Sequence, residues 1–232
     1  MSSSPTVRTS TTVSSTSSPS RSERPTVALV ACGALAQAAA QVIARTGWPV
    51  DVHPLPPLLH NQPHLIAGRV ESAALQLLPH YASVAVGYAD CGTYGALDDV
   101  CNRLALRRLQ GLHCYDVYGG RERMQRFFAE QPGTYVLTDF LVRSFGRTVR
   151  RELGLDRFPE LRDSYFGNYT RVVWLAQQPD EELHALAVAA ADELGLPLTV
   201  VDTGTTGLER ELAALVGGAD RQLAAPIGPP RR

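Results

Sequence analysis

The sequence predicts an α/β domain with a mostly parallel sheet, built of Rossmann-like βαβ units with helices on both faces. Short apolar runs rich in β-branched residues, such as TVALVA and GTYVLT, recur along the chain. Longer amphipathic segments alternate with these runs, and that alternation is typical of parallel units with right-handed crossovers. A third observation is that ACGALA, DCGTYGALD and LTDFLV occupy equivalent places at the ends of such runs. This weak similarity is typical of repeated units.

Each predicted strand is short and apolar, which favours a buried position in a sheet. The predicted strands are residues 26–31, 49–53, 83–88, 112–114, 133–138, 171–176 and 198–201. Helical segments lie between and after them, at residues 34–45, 64–78, 97–110, 121–131, 140–153, 180–194 and 207–216. Residues 54–63 (PLPPLLHNQP) are proline-rich, and proline has no backbone N–H to donate. We therefore expect a long irregular loop there.

The two ends of the chain differ in composition from the predicted α/β domain, which covers residues 25–217. Residues 1–24 are rich in Ser, Thr, Pro and Arg and lack the apolar segment of a secretory signal. That composition cannot bury enough apolar surface to order itself, so we expect a disordered leader. Residues 218–232, which end in APIGPPRR, are expected to form a flexible tail.

The composition excludes several classes of function. The net charge of −1 provides no long-range attraction for nucleic acid or for an anionic membrane, and no apolar run is long enough to cross a bilayer. Every basic residue is arginine, which excludes a P-loop lysine and a lysine Schiff base. Four cysteines without a secretory signal favour a cytoplasmic protein with thiols or metal ligands over a disulfide framework.

Three of the four cysteines lie where a predicted strand ends: Cys32, Cys91 and Cys114. The carboxyl ends of neighbouring parallel strands meet at one edge of the sheet, where ligands bind. A cysteine at the start of a helix also has a lowered pKa, which suits both metal binding and nucleophilic attack. We therefore expect these three thiols to form one site. Cys101 lies within an amphipathic helical pattern and is expected to be a core residue.

The ligand types restrict the cofactor. Three soft thiolates favour an iron–sulfur cluster or zinc over magnesium or calcium. No CxxC pair is present, so the ligands must come from separate strand ends. Three cysteines leave one coordination position open for a small-molecule substrate. We expect a [4Fe–4S] cluster, with zinc completed by a histidine or water as the alternative.

Three further residues are candidates for proton transfer in this site. His60 lies in the proline-rich loop that leaves the same edge of the sheet, and it is a candidate ligand or general acid/base. Asp90 and Tyr94 flank Cys91 and complete the predicted catalytic set. A helix N-cap is the alternative explanation of both Asp90 and Asp139, and for Asp139 it is at least as good. Other polar side chains at this edge are Thr93, Asp116, Tyr118, Thr138 and Asp139.

Several motifs, in order, resemble the bacterial and archaeal family known as domain of unknown function 1638. They are ACGALA, LHNQP, GYADCGTYGALD, HCYDVYGG, PGTYVLTDFL and LRDSYFGNYTRVVWLAQ, and the resemblance covers about residues 26–217. The family's cysteines match Cys32, Cys91 and Cys114, and its loop histidine matches His60. The resemblance implies an association with corrinoid-dependent methyltransferases and with the one-carbon metabolism of methylated amines. Where this chain has Asp90, other branches look more like leucine.

Two other functions remain open at this point. One is a non-catalytic accessory protein that binds a corrinoid or a methyltransferase partner. The other is a metal-free thiol enzyme with Cys91 as the nucleophile, assisted by His60 or Asp90. If the metal-dependent protein is an enzyme, we expect a metal- or cluster-dependent lyase or transferase.

Overall fold

The computed structural model describes the backbone of residues 26–223 and the side chains of residues 26–217. The predicted leader lies outside these residues, as does most of the predicted tail. Within the described part, seven parallel strands and nine α-helices form an α/β fold, so the predicted fold class is confirmed. The strands divide between two sheets, whereas the sequence analysis expected one.

The first sheet has the strand order β2-β1-β3-β4, and every pair is parallel. Its strands are β1 (Val27–Cys32), β2 (Val50–Leu55), β3 (Ser83–Gly87) and β4 (Arg107–Arg108). Strand β1 lies between two neighbours, and all six of its residues are buried. A strand covered on both faces is expected to be apolar throughout, and VALVAC fits that expectation.

The second sheet has the order β5-β6-β7 and is also parallel. Its strands are β5 (Thr134–Thr138), β6 (Arg171–Ala176) and β7 (Leu198–Asp202). Side chains alternate along β6, as they must in a strand. Val173 and Leu175 join the hydrophobic cluster of the first sheet, whereas Val172 and Trp174 pack in a second cluster.

Helices flank both sheets. They are α1 (Gly33–Thr46), α2 (Ile66–Leu77), α3 (Ala96–Arg103), α4 (Asp116–Gly119), α5 (Arg121–Glu130), α6 (Asp139–Phe145), α7 (Leu161–Phe166), α8 (Glu181–Leu194) and α9 (Thr206–Leu223). A π-helical segment, Gly146–Arg151, continues α6. Helix α9 contacts α1, α4 and β3, and it extends beyond its predicted end into the first residues of the predicted tail. None of the helices in residues 26–223 is both long and apolar enough to cross a lipid bilayer.

The region between β3 and α4 differs from the prediction. Helix α3 ends at Arg103 because Ala105 takes a left-handed conformation with φ of 52°, which a helix cannot contain. The strand that follows is Arg107–Arg108, and the predicted strand at residues 112–114 is wrong. Residues 109–114 form a loop in which Gly111, with φ of 120°, breaks the extended backbone.

The proline-rich segment is also more regular than expected. Strand β2 continues through Leu55, and two short 3₁₀ turns follow at Pro57–Asn61 and Pro63–Leu65. A proline opens each turn, where its missing N–H leaves no hydrogen bond unmade. This compact path keeps the segment against the end of β1.

Candidate metal centre

Cys32 is the last residue of β1, and Gly33 explains how other segments reach it. Cys32 pairs in register with Leu55, the last residue of β2. A Cβ on Gly33 would lie 2.8 Å from the backbone nitrogen of Pro57 and would also collide with the Leu55 carbonyl. Glycine is therefore required for the proline-rich segment to cross directly over the start of α1.

His60 lies on the first 3₁₀ turn of that segment. Its Nε2 atom is 2.9 Å from the sulfur of Cys32, across a sequence separation of 28 residues. Leu59, the preceding residue, is buried in the first hydrophobic cluster and anchors the turn. The ring of Tyr88 lies close to that of His60, with ring centroids 6.2 Å apart. The predicted convergence of Cys32 and His60 is present in the structure.

Cys91 lies in a short loop, residues 90–95, between β3 and α3. The φ angles of Cys91 and Tyr94 are both 51°, an uncommon conformation for residues other than glycine. The Asp90 carboxylate stabilises this loop by accepting hydrogen bonds from the backbone N–H groups of Gly92, Tyr94 and Gly95 and from the Thr93 hydroxyl. The structure thus uses Asp90 to hold the loop that carries Cys91.

Cys114 lies in the loop that replaces the predicted strand. The Asp116 carboxylate accepts the backbone N–H groups of Leu112 at 3.0 Å and His113 at 3.1 Å. The N–H of Cys91 donates in turn to the carbonyl of Leu112 at 2.7 Å. These bonds join the two cysteine loops, and the sulfurs of Cys91 and Cys114 are 2.9 Å apart.

Together the four side chains form a compact donor set, which we call the thiol cluster: Cys32, His60, Cys91 and Cys114. The ligand atoms of Cys32, His60 and Cys114 all lie within 4.8 Å of one another. A tetrahedral zinc site with Zn–S bonds of about 2.3 Å places neighbouring donors about 3.8 Å apart. The donor types and their spacing therefore fit a single soft or borderline ion.

The electrostatics of the cluster favour thiolates. Contact with the Cys114 thiol, together with His60 and the backbone N–H of Ala34, holds the pKa of Cys32 well below its usual value despite burial. Contact with Cys114 likewise lowers the pKa of Cys91, whereas its two sulfur neighbours and complete burial raise the pKa of Cys114. Burial alone would lower the pKa of His60, but the hydrogen bond to Cys32 and the charges of Cys32 and Cys91 raise it to about 9. Cys32 and Cys91 are therefore the thiols that ionise most readily, and His60 is the cation beside them.

The other predicted site residues have different positions. Tyr94 is 95% exposed and lies at the surface of the Cys91 loop. Cys101 is in the core, where burial raises the pKa of its thiol to about 11. The catalytic roles predicted for His60, Asp90 and Tyr94 remain predictions.

Sequence reasoning missed Tyr88. It follows β3 directly and is fully buried beside His60, and its hydroxyl has no hydrogen-bond partner in the described part of the chain. Burial is the largest cause that raises its pKa, and the neighbouring thiols add to it. The available signal was its position at the strand end, three residues before Cys91.

The fold and these side chains define a parallel α/β protein with a buried Cys–His cluster at the carboxyl edge of its first sheet. The chain belongs to the family described as protein of unknown function (DUF1638), whose model matches residues 54–212. His60, Cys91 and Cys114 lie within the matched span, and Cys32 precedes it. No curated protein and no solved structure matches the chain significantly.

Proposed function

We propose that the protein binds one zinc ion in the thiol cluster and uses it to bind and activate a small molecule. The observation that carries this proposal is the mutual 4.8 Å spacing of the Cys32, His60 and Cys114 donor atoms. Zinc in a catalytic site keeps three protein ligands and one exchangeable position, and it acts there as a Lewis acid.

Cys91 is the exchangeable fourth ligand in this proposal. Its sulfur contacts Cys114, but Cys91 is not one of the three mutually close donors. Its loop places two residues other than glycine, Cys91 and Tyr94, in the left-handed conformation, so the backbone there is under more strain than at the other three ligands. A ligand on such a loop can leave with less loss of packing than Cys32, which ends a fully buried strand.

Spacing is the reason to prefer a single ion over the [4Fe–4S] cluster expected from sequence. In such a cluster each thiolate binds a different iron, so the three sulfurs must stand further apart than they do around one ion. The 2.9 Å contact between Cys91 and Cys114 supports the more compact arrangement.

A metal-free thiol enzyme is the second candidate, and the Cys32–His60 bond favours it, because a thiolate beside an imidazolium is an activated nucleophile. In this structure the histidine pairs with Cys32 and not with Cys91, the nucleophile expected from sequence. Cys32 has no exposed surface, so a substrate could not reach its sulfur without a rearrangement. We therefore rank this candidate second.

The test is metal analysis and an absorption spectrum of the full chain purified without oxygen. We expect about one zinc per chain and no visible colour. Cys32→Ser, His60→Ala and Cys114→Ser should each remove most of the metal, Cys91→Ser should weaken binding, and Cys101→Ser is the matched control that should retain it.

Other outcomes would overturn the zinc proposal in distinguishable ways. About four irons with a broad absorption band would establish the cluster instead. Protein without either metal, with one uniquely alkylated cysteine, would favour the thiol enzyme. Protein with neither metal nor a reactive thiol would favour the non-catalytic accessory protein, which a corrinoid titration would then test.

A further inference from the structure

A cleft of about 430 Å³ lies beside the thiol cluster, between α1 and α6. Residues that follow the carboxyl ends of four strands line it: Ala34 after β1, Asp139 after β5, Gln177 after β6 and Thr205 after β7. Ligands of parallel α/β sheets bind at this edge, and small-molecule sites have volumes of this order. The cleft is therefore in the right place, and of the right size, for a small substrate.

Two residues belong both to the cleft wall and to the surroundings of the cluster. Ala34 lines the cleft, and its backbone N–H acts on the sulfur of Cys32. Tyr118 also lines the cleft and lies close enough to Cys114 and Cys32 to interact with their charges. Ala34 and Tyr118 thus connect the cleft wall with the thiol cluster.

Tyr118 is also one of the polar groups in this wall that lack a protein hydrogen-bond partner within residues 26–217. Only 7% of its surface is exposed, and its hydroxyl has no hydrogen-bond partner among the described residues. No described protein group therefore competes for this hydroxyl on the cleft wall, and it can donate a hydrogen bond to a molecule bound there.

The charges of the lining select an anion. Arg143 and Arg147 are both exposed on one wall. Arg147 makes no ion pair with any described residue, and Arg143 has only a long 3.5 Å contact with Asp180. The acidic residue of the lining is Asp139, and its carboxylate is already engaged.

Asp139 contributes one negative charge to this lining, and its contacts fix the carboxylate in place. Its Oδ1 atom accepts hydrogen bonds from the indole N–H of Trp174 and the backbone N–H of Gln177, and its Oδ2 atom accepts from the backbone N–H of Gln178. These three donors hold the carboxylate in place, and the two guanidinium groups of the lining outnumber its single negative charge. The remaining guanidinium groups therefore define the electrostatics of the cleft.

We infer that this cleft binds a small oxyanion-bearing molecule, a carboxylate or a phosphate, with Arg143 and Arg147 on the anionic group and Tyr118 as a hydroxyl donor beside the thiol cluster. The inference rests on the proposed function in one respect, because it names the class of substrate that the metal would meet. Guanidinium groups suit both anions because their paired N–H donors match two oxygens at once.

The experiment is a titration of the zinc-loaded full chain with succinate and, separately, with inorganic phosphate, followed by tryptophan fluorescence and calorimetry. Trp174 reports on the cleft through Asp139. We expect saturable binding of one of the two anions, and the better one identifies the chemical class. Arg147→Gln should weaken it about ten-fold, the usual effect of losing one charged hydrogen bond, while zinc content stays unchanged.

Two variants complete the test. Arg126→Gln, on a different surface cleft with three other arginines, is the matched control and should bind as the wild type does. Tyr118→Phe keeps the ring and removes the hydroxyl, and it should also weaken binding. Equal binding by the wild type and Arg147→Gln, or no saturable binding of either anion, would overturn the inference.

Metal-free protein separates this inference from the proposed function. If Cys32→Ser or chelated wild type still binds the anion and Arg147→Gln does not, the cleft is a genuine anion site whatever the cluster holds. If zinc binds normally and the anion does not, the metal centre stands and the cleft inference fails.

Discussion

The ends of β1 and β5 have the same strand–turn–helix plan but opposite chemistry. At the end of β1, the sulfur of Cys32 contacts side chains from other loops, and those side chains are themselves potential metal ligands. At the end of β5, Asp139 accepts three hydrogen bonds from Trp174, Gln177 and Gln178. The thiol cluster at the end of β1 makes its side-chain contacts mainly among potential ligands, whereas the Asp139 carboxylate at the end of β5 is satisfied by N–H groups of the fold. The first is available to bind a ligand and the second stabilises the structure.

The largest expected effect is oxidation of the thiol cluster at the end of β1. When metal is removed with a chelator and hydrogen peroxide is added, Cys91 and Cys114 should form a disulfide, with the peroxide reduced to water. Their sulfurs are already 2.9 Å apart, and a disulfide requires about 2.05 Å. The number of free thiols titrated in the unfolded protein should fall by two per chain, and peptide mapping should identify the disulfide between Cys91 and Cys114.

Zinc-loaded protein under the same conditions should keep its thiols, because coordinated sulfurs are less available. Cys101→Ser begins with one thiol fewer and should show the same loss of two. A linkage that contains Cys101, or no loss of thiols at all, would contradict the arrangement of the cluster.

The next effect concerns the close approach at the start of α1. Gly33→Ala places a methyl group against the backbone of Leu55 and Pro57, so the segment with His60 must move. We expect a loss of about 3 kcal/mol in the free energy of unfolding, at the upper end for added bulk in a packed site. Denaturant titration measures it, and zinc affinity should fall as well.

Gly68→Ala is the matched control for that change. Gly68 is exposed within α2, and a Cβ there meets no atom within 4 Å. Alanine should stabilise the helix by about 0.5–1 kcal/mol. Equal effects of the two substitutions would show that the crossing over Gly33 is not tight.

The third effect is smaller and concerns Asp139 at the end of β5. Asp139→Asn replaces one carboxylate oxygen with a donor that must face an N–H group, and it removes the charge that strengthens the other bonds. We expect a loss of about 2 kcal/mol in unfolding free energy with unchanged zinc content. Asp163→Asn, on an exposed side chain, should change little. Loss of zinc in Asp139→Asn would contradict the proposal that Asp139 stabilises the structure and that the end of β1 binds the metal.

The smallest effect concerns the support of the Cys114 loop. Asp116→Asn keeps the shape of the side chain and weakens its bonds to the N–H groups of Leu112 and His113. Groups that orient metal ligands change affinity by about 10-fold or more when altered. A competition assay with a zinc indicator would measure it, and Asp99→Asn, on an exposed residue of α3, is the control. Equal zinc affinities of Asp116→Asn and the wild type would show that Asp116 does not support the metal site.

The sequence was sufficient to bring Cys32, Cys91 and His60 together, because strand ends and cysteines are both visible in it. Cys32 and Cys91 follow short apolar runs, and the prolines around His60 mark a segment that returns to the same edge, whereas Cys114 was predicted at the end of a strand that the structure replaces with a loop. Parallel topology then requires these residues to converge. The family resemblance added the same four positions and is confirmed by the family match.

The parts that could not be predicted depend on tertiary contacts. The apolar and arginine residues at 104–109 fit a helical pattern, but Arg108 forms a two-pronged ion pair with Asp98 and belongs to a strand. The division into two sheets is set by packing between side chains far apart in sequence. Tyr88 looked like an ordinary strand residue because burial of its hydroxyl without a partner is visible only in three dimensions.

All four cluster residues lie in the first half of the chain, between positions 32 and 114. During synthesis the complete ligand set therefore leaves the ribosome before the second sheet exists. Since chains fold from the N-terminus at about 5–20 residues per second, several seconds separate the last ligand from the last strand. On the zinc proposal, all four ligands are available to the metal while the ribosome is still making β5–β7.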